Sequence, residues 1–212
     1  RRVLNISVRT PMAPAEERGM VWGPTGQFPF ISSFYEYLLP HEKSRMAYLG
    51  WVGHAYINAL ARRPVQGQGI FVSGPPGVGK SMNSQGILSP LFGGCADGAA
   101  YLHGKDSFGG ELFESYLVRS DDNGLFTDPR TRAMAAEKIK ALVANSEQRV
   151  HAKFRMPTLM PWFGRVVVTT NCDPDSLSQL PELTTSLEGK ISLFRTGDVP
   201  CPELALGREW VE

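Results

Sequence analysis

Apolar residues recur along this chain at two different spacings, and the changes of spacing divide it. Residues 1–30 are rich in Pro, Gly and Arg with little periodicity, which predicts an irregular lead-in or linker. From Ser32 to Ala61 the spacing turns helical. Phe34, Tyr35, Leu38 and Leu39 form one stripe, and Met46, Leu49, Val52 and Ala55 form another that runs on through Ile57, Leu60 and Ala61. Such stripes predict helices that pack through one face. Arg62-Arg63-Pro64 and Gly67-Gln68-Gly69 read as turns, and Ile70-Phe71-Val72 as a short buried strand.

Beyond that strand the pattern alternates. A helix is expected from Ser81 to about Leu91, strands over residues 115–118, 148–151 and 165–170, and a helix over residues 131–144. Valine-rich strands alternating with helices predict an α/β fold, with a central parallel sheet flanked by helices and a small helical segment before it. The expected organisation is a lead-in over 1–30, a helical segment over 31–65, a core over 66–200 and a C-terminal extension over 201–212. No internal repeat is present.

Composition narrows the picture. With 42% hydrophobic and 20% charged residues, the 212-residue chain excludes wholesale disorder and suits one domain with a substantial core, or one plus a small accessory. Its formal charge of +1 excludes a generally basic nucleic-acid coat but not a local basic groove. No apolar run approaches the roughly 18 residues of a membrane span, so no membrane partner and a cytoplasmic location are expected. The chain starts at Arg1 without a signal-peptide pattern, and so reads as a piece of something longer. Cys95, Cys172 and Cys201 form no C-x-x-C pair, and the four histidines have no ligand spacing, which points to reduced thiols rather than a zinc site.

The strongest chemical signal is Gly74-Pro75-Pro76-Gly77-Val78-Gly79-Lys80-Ser81, which fits G-x-x-x-x-G-K-[ST] in full. Glycines let backbone N–H groups turn inward around phosphate oxygens, where side chains would block the approach. The helix that follows adds its partial positive charge. Lys80 supplies a point charge to the β and γ oxygens, and the Ser81 hydroxyl can hold Mg²⁺. The segment follows a hydrophobic strand and opens a helix, the context this chemistry requires.

Two strand ends offer partners for such a loop. Asp121 and Asp122 follow Tyr116-Leu117-Val118-Arg119-Ser120, so Asp121 could sit on the Mg²⁺ shell and Asp122 could act as general base on water. Asp121-Asp122-Asn123-Gly124 is also a good turn, and Arg119 breaks the apolar run. Asn171 ends the strand Val166-Val167-Val168-Thr169-Thr170, where it could bond the γ-phosphate and the lytic water, or simply open the turn Asn171-Cys172-Asp173-Pro174. Lys153, Phe154 and Arg155, flanked by Arg149 and His151, place basic residues around an aromatic before a Pro157…Pro161 turn. They suit a grip on single-stranded nucleic acid or a solvated basic strand. Met156, Leu159, Met160, Trp162 and Phe163 could be a subunit contact or the packing of that hairpin.

In this order the elements resemble the superfamily 3 helicase domain of viral, phage and plasmid replication proteins and primase-helicases. The likeness covers about residues 30–196. Residues 74–81 match its motif A, Asp121-Asp122 fall at motif B, residues 150–155 are similar to motif B′, and residues 166–171 look like motif C. The resemblance implies an AAA+-like P-loop ATPase that uses ATP and Mg²⁺, with Ser81 and Asp121 on the metal. It implies a ring of six that moves 3′ to 5′ on single-stranded DNA, gripped by His151, Lys153, Phe154 and Arg155. A fused or separate primase or origin-binding domain is a further implied partner, and the host cytoplasm or nucleus the implied location. Two departures stand out. Asp122 replaces the usual Glu, and the position matching the trans-acting arginine is Lys190, with Arg195 a few residues on. Another AAA-like remodeller or packaging motor, and a nucleotide-gated assembly module with weak turnover, are the alternative readings.

Overall fold

A computed structural model describes residues 9–14, 28–104, 110–121, 128–150, 156–178, 180 and 184–199. Helix α1, Pro29–Leu38, opens on a proline, whose fixed φ suits the first helical turn. It buries Phe34, Tyr35 and Leu38, and α2, Glu42–Leu60, runs beside it. Strand β1, Gly69–Ser73, follows. The next helical segment, Met82–Leu88, is wound as a π-helix: the Ser89 N–H bonds the Ser84 carbonyl, five residues back. It passes directly into α3, Ser89–Leu91.

Strands β2 (Ala96–Asp97), β3 (Leu117–Ser120), β6 (Arg165–Thr170) and β7 (Ile191–Arg195) join β1 in one sheet of order β2-β3-β6-β1-β7. All four pairings are parallel. This is the expected α/β fold, with a central parallel sheet flanked by helices. Every residue of β6 is buried, because helices cover both faces and leave no polar side to alternate with. Successive residues point to opposite faces, so the core has two halves. Ile70, Val72, Leu117 and Val167 pack with Phe34, Tyr35, Leu38, Tyr48 and Leu88. Phe71, Val118, Val166 and Val168 pack with Ala135, Ile139 and Leu142 of α4, Pro129–Ala144.

Several elements differ from expectation. The strand placed over 115–118 is Leu117–Ser120, so Arg119 lies inside it; pairing with β6, not apolarity alone, sets its end. Helix α4 begins at Pro129 because Asp128 caps it, accepting from the Arg130 and Thr131 amides. The strand expected over 148–151 is β4, Glu147–Val150, and it does not join the central sheet. It pairs antiparallel with β5, Thr158–Pro161, a stretch expected to be a turn. Its alternation of exposed and buried residues suits a ribbon with one wet face. Trp162 is buried and Phe163 packs on the core, whereas Met156 and Leu159 are exposed. Among the described residues no helix is long and apolar enough to cross a membrane.

The π-helical segment is tied to the N-terminal helices by one polar residue. Asn83 is fully buried, and its Oδ1 accepts from Tyr35 Oη at 3.0 Å and Tyr48 Oη at 2.9 Å. Its Nδ2 donates to Tyr48 Oη at 2.6 Å. Burial pushes both phenols well above their ordinary range, so they remain neutral donors. Replacing Asn83→Leu removes the amide that two buried hydroxyls share, and should cost about 2–4 kcal/mol in a denaturant titration. Tyr48→Phe, which removes only one hydroxyl, should cost about half as much.

Candidate functional site

Because the sheet is parallel, the carboxyl ends of β1, β3, β6 and β7 share one edge. Ser73 is in register with Thr170 on one side and Arg195 on the other. The chain leaves β1 there and turns through residues 74–81 into the π-helical segment. Both neighbours grip the exit: the Gly74 amide bonds the Thr170 carbonyl at 3.2 Å, and the Thr196 amide bonds the Ser73 carbonyl at 2.8 Å. A Cβ on Gly74 would sit 1.7 Å from Thr196 Oγ1, so only glycine fits. Gly77 faces open space, and its requirement is conformational, with φ +81°. Gly79 has φ +98°, and Val78 between them is buried and anchors the loop.

The loop encloses its own ammonium. Lys80 is 9% exposed, and Nζ donates to the Gly74 carbonyl at 2.6 Å, the Pro75 carbonyl at 2.8 Å and Asn171 Oδ1 at 3.1 Å. Ser81 is exposed and its side chain makes no capping bond. Loop amides, one ammonium and a neighbouring hydroxyl form a donor set that fits a polyphosphate. Among the described residues no group of three or more His, Cys, Asp or Glu is placed to hold a metal. A magnesium ion carried by phosphate needs no such group, because phosphates and water supply most of its ligands. Among the described residues, Ser81 and Asp121 carry oxygens that could complete its shell.

Asp121 and Asn171 reach this edge from adjacent strands. Asp121 follows β3, its Oδ1 accepting from Thr169 Oγ1 at 3.0 Å and its Oδ2 from Gln85 Nε2 at 3.1 Å. Arg119 pairs with the same Oδ2. The Asn171 backbone carbonyl accepts from Ser73 Oγ and Thr170 Oγ1, each at 3.2 Å, leaving its amide side chain toward Lys80. Asp173 caps α5, Pro174–Ser178, by accepting from the Ser176 amide and hydroxyl. Those bonds hold its carboxyl below the usual range. The polar strand end and the helix-opening turn therefore coexist.

Lys190 lies at the other edge of the sheet. Gly69, the first residue of β1, is in register with Ile191, and the Gly69 amide bonds the Lys190 carbonyl at 2.9 Å. Lys190 Nζ donates to the Ser186 carbonyl at 2.7 Å. Arg195 stands at the same edge as the loop, with its side chain 75% exposed and 3.7 Å from Asp198. Asp122, His151, Lys153, Phe154 and Arg155 lie outside the described residues. Val150 and Thr158, on either side of residues 151–155, are paired across the β4–β5 ribbon. Sequence reading missed Gln85, Arg119 and Thr169. The signal was there: a charged residue inside a buried strand, two positions before an acid.

A sequence model of a family of unknown function, DUF5906, matches residues 71–182, just over half of the chain. No protein with a curated description matches significantly. Among solved structures, the apo NrS-1 C-terminal region (305-718) aligns with TM-score 0.66 at 12% identity, covering 93% of this chain and 42% of that one. An A-form apo structure of the NrS-1 C-terminal region gives 0.62 at 12% identity, covering 92% and 42%. A JCV helicase structure gives 0.49 at 10% identity, covering 84% and 48%. The chain thus spans 42% of the length of the first structures it matches, and what the NrS-1 likeness shows is the fold.

Crowding at Gly74 gives a direct check of the loop geometry. Gly74→Ala should lower stability by about 1–3 kcal/mol in thermal unfolding, and Thr196→Ala in the same chain should recover only part of that loss, because the residue-196 Cβ still lies 2.8 Å from the added methyl.

Proposed function

The chain belongs to the family of unknown function DUF5906, and we propose that it is the ATP-dependent motor of a DNA replication protein, of the superfamily 3 helicase type. The observation that carries this reading is the bonding of Lys80, inside a glycine-bearing loop, to Asn171 from the adjacent strand, whose Thr169 in turn bonds Asp121.

In this reading the loop amides and Lys80 hold the β- and γ-phosphates of ATP. Lys80 exchanges its bonds to the Gly74 and Pro75 carbonyls for phosphate oxygens, a transfer between acceptors on one short tether. Ser81 and Asp121 would hold a magnesium ion, which would supply positive charge against the phosphates. Asn171, already fixed through its backbone, orients the attacking water, and Asp122 takes the proton. An exposed Arg195 from a neighbouring copy supplies positive charge as phosphate charge develops. This requires self-association, and a ring of six is the arrangement the family resemblance implies. Lys153, Phe154 and Arg155, with His151, grip single-stranded DNA through charge and stacking. Repetition around a ring turns a weak patch into a strong one, in keeping with a nearly neutral chain. A primase or origin-binding domain, fused or separate, and a location in the host cytoplasm or nucleus complete the proposal.

One observation favours a second reading, a nucleotide-gated assembly module with weak turnover. Lys190 is bonded to Ser186 at the far edge, and a lysine lacks the bidentate fork of an arginine. Steady ATP hydrolysis by purified protein eliminates that reading.

Lys80→Ala should weaken Mg²⁺–ATP binding by at least about tenfold and reduce hydrolysis by about 100-fold or more, measured by calorimetry and phosphate release. No uptake of ATP by the unaltered chain with magnesium would remove the motor reading. Lys153→Ala with Arg155→Ala should weaken single-stranded DNA binding and flatten its salt dependence, with the log–log slope falling by about 0.7 for each phosphate no longer neutralised. An unchanged slope would place the DNA grip elsewhere.

A further inference from the structure

Arg119 has no place in the chemistry above, yet it is bonded to the residue placed on the metal. It sits in register with Val167, on the sheet face that carries Thr169 and looks toward the helix of Gln85. The Arg119 and Asp121 side chains are only 23% and 26% exposed. Arg119 Nε is buried without a hydrogen-bond partner among the described residues, so one nitrogen of the guanidinium serves Asp121 while this one is left unused.

Asp121 already receives hydrogen bonds from Thr169, Gln85 and Arg119. A carboxylate has about four lone-pair sites, so this one is nearly saturated before any metal arrives. Thr169 and Gln85 are neutral donors that can share an oxygen with a metal or its water. Arg119 is a cation, and a divalent ion brought to the same carboxylate is repelled by it. Partial exposure reduces that repulsion without removing it.

We propose that Arg119 is a displaceable counter-ion of Asp121: it holds the carboxylate while the site is empty and opposes entry of the metal that accompanies nucleotide. Arg119 thereby sets how much magnesium the site requires. It is a positioning residue acting through Asp121, and the inference rests on the nucleotide-binding reading given above.

The test is calorimetric titration of the full chain with ATP across a magnesium series, in the unaltered protein, Arg119→Gln, Arg119→Lys and Asp121→Asn. Arg119→Gln should lower the magnesium concentration at half-saturation by about five- to tenfold, while Arg119→Lys, which keeps the charge, stays near the unaltered value. In an Asp121→Asn background the Arg119→Gln effect should disappear, which a merely structural role would not produce. Circular dichroism identifies variants that remain folded. A folded Arg119→Gln whose magnesium requirement is unchanged or higher overturns the proposal while leaving nucleotide binding intact. Failure of the unaltered chain to bind ATP at any magnesium level overturns the underlying reading instead.

Discussion

The backbone at the end of β1 is hydrogen-bonded to both neighbouring strands at once, and the candidate site depends on that double grip. Gly74 bonds Thr170 on one side, and Ser73 accepts from Thr196 on the other. A loop fastened this way begins at a set position and direction, so Lys80 meets the Gly74 and Pro75 carbonyls and Asn171 rather than wandering. The same parallel register brings Asp121 and Asn171 to that edge from β3 and β6. Parallel strands present their carboxyl ends together, which is why one edge of the sheet collects the polar chemistry.

Polar contacts continue away from that edge in two directions. Toward the N-terminal helices, Asn83 joins the π-helical segment to Tyr35 and Tyr48, within the apolar half of the core that those two rings help to form. Toward β3, Gln85 of the same segment reaches Asp121. One short, over-wide helical segment thus touches both the acid beside the loop and the helices that precede it. A π-winding alters the angular spacing of side chains from that of an α-helix, and segments of this kind gather at functional sites.

Legibility of the site from the residues alone was uneven, for identifiable reasons. The loop over residues 74–81 was readable because its chemistry is local: glycine φ values, a lysine and a hydroxyl need only the right order and a strand before them. The β6 run was readable because burial on both faces leaves an unbroken string of valines. By contrast β2 has two residues, and β7 (Ile-Ser-Leu-Phe-Arg) breaks its alternation at Leu193-Phe194, so neither carries a pattern that separates strand from loop. The β4–β5 ribbon was half visible, because β5 contains Pro161 and exposed apolar residues that read as a turn.

The sequence by itself determined the α/β alternation, the phosphate-type loop and which residue types could accompany it, since those follow from periodicity and short-range chemistry. Only the tertiary structure decided the company each residue keeps. It put Lys190 at the far edge and Arg195 at the near one, although they are neighbours in sequence, because a five-residue parallel strand separates them. It also turned Arg119 from an interruption in an apolar run into the partner of Asp121. Strand register, which no single segment encodes, sets those distances.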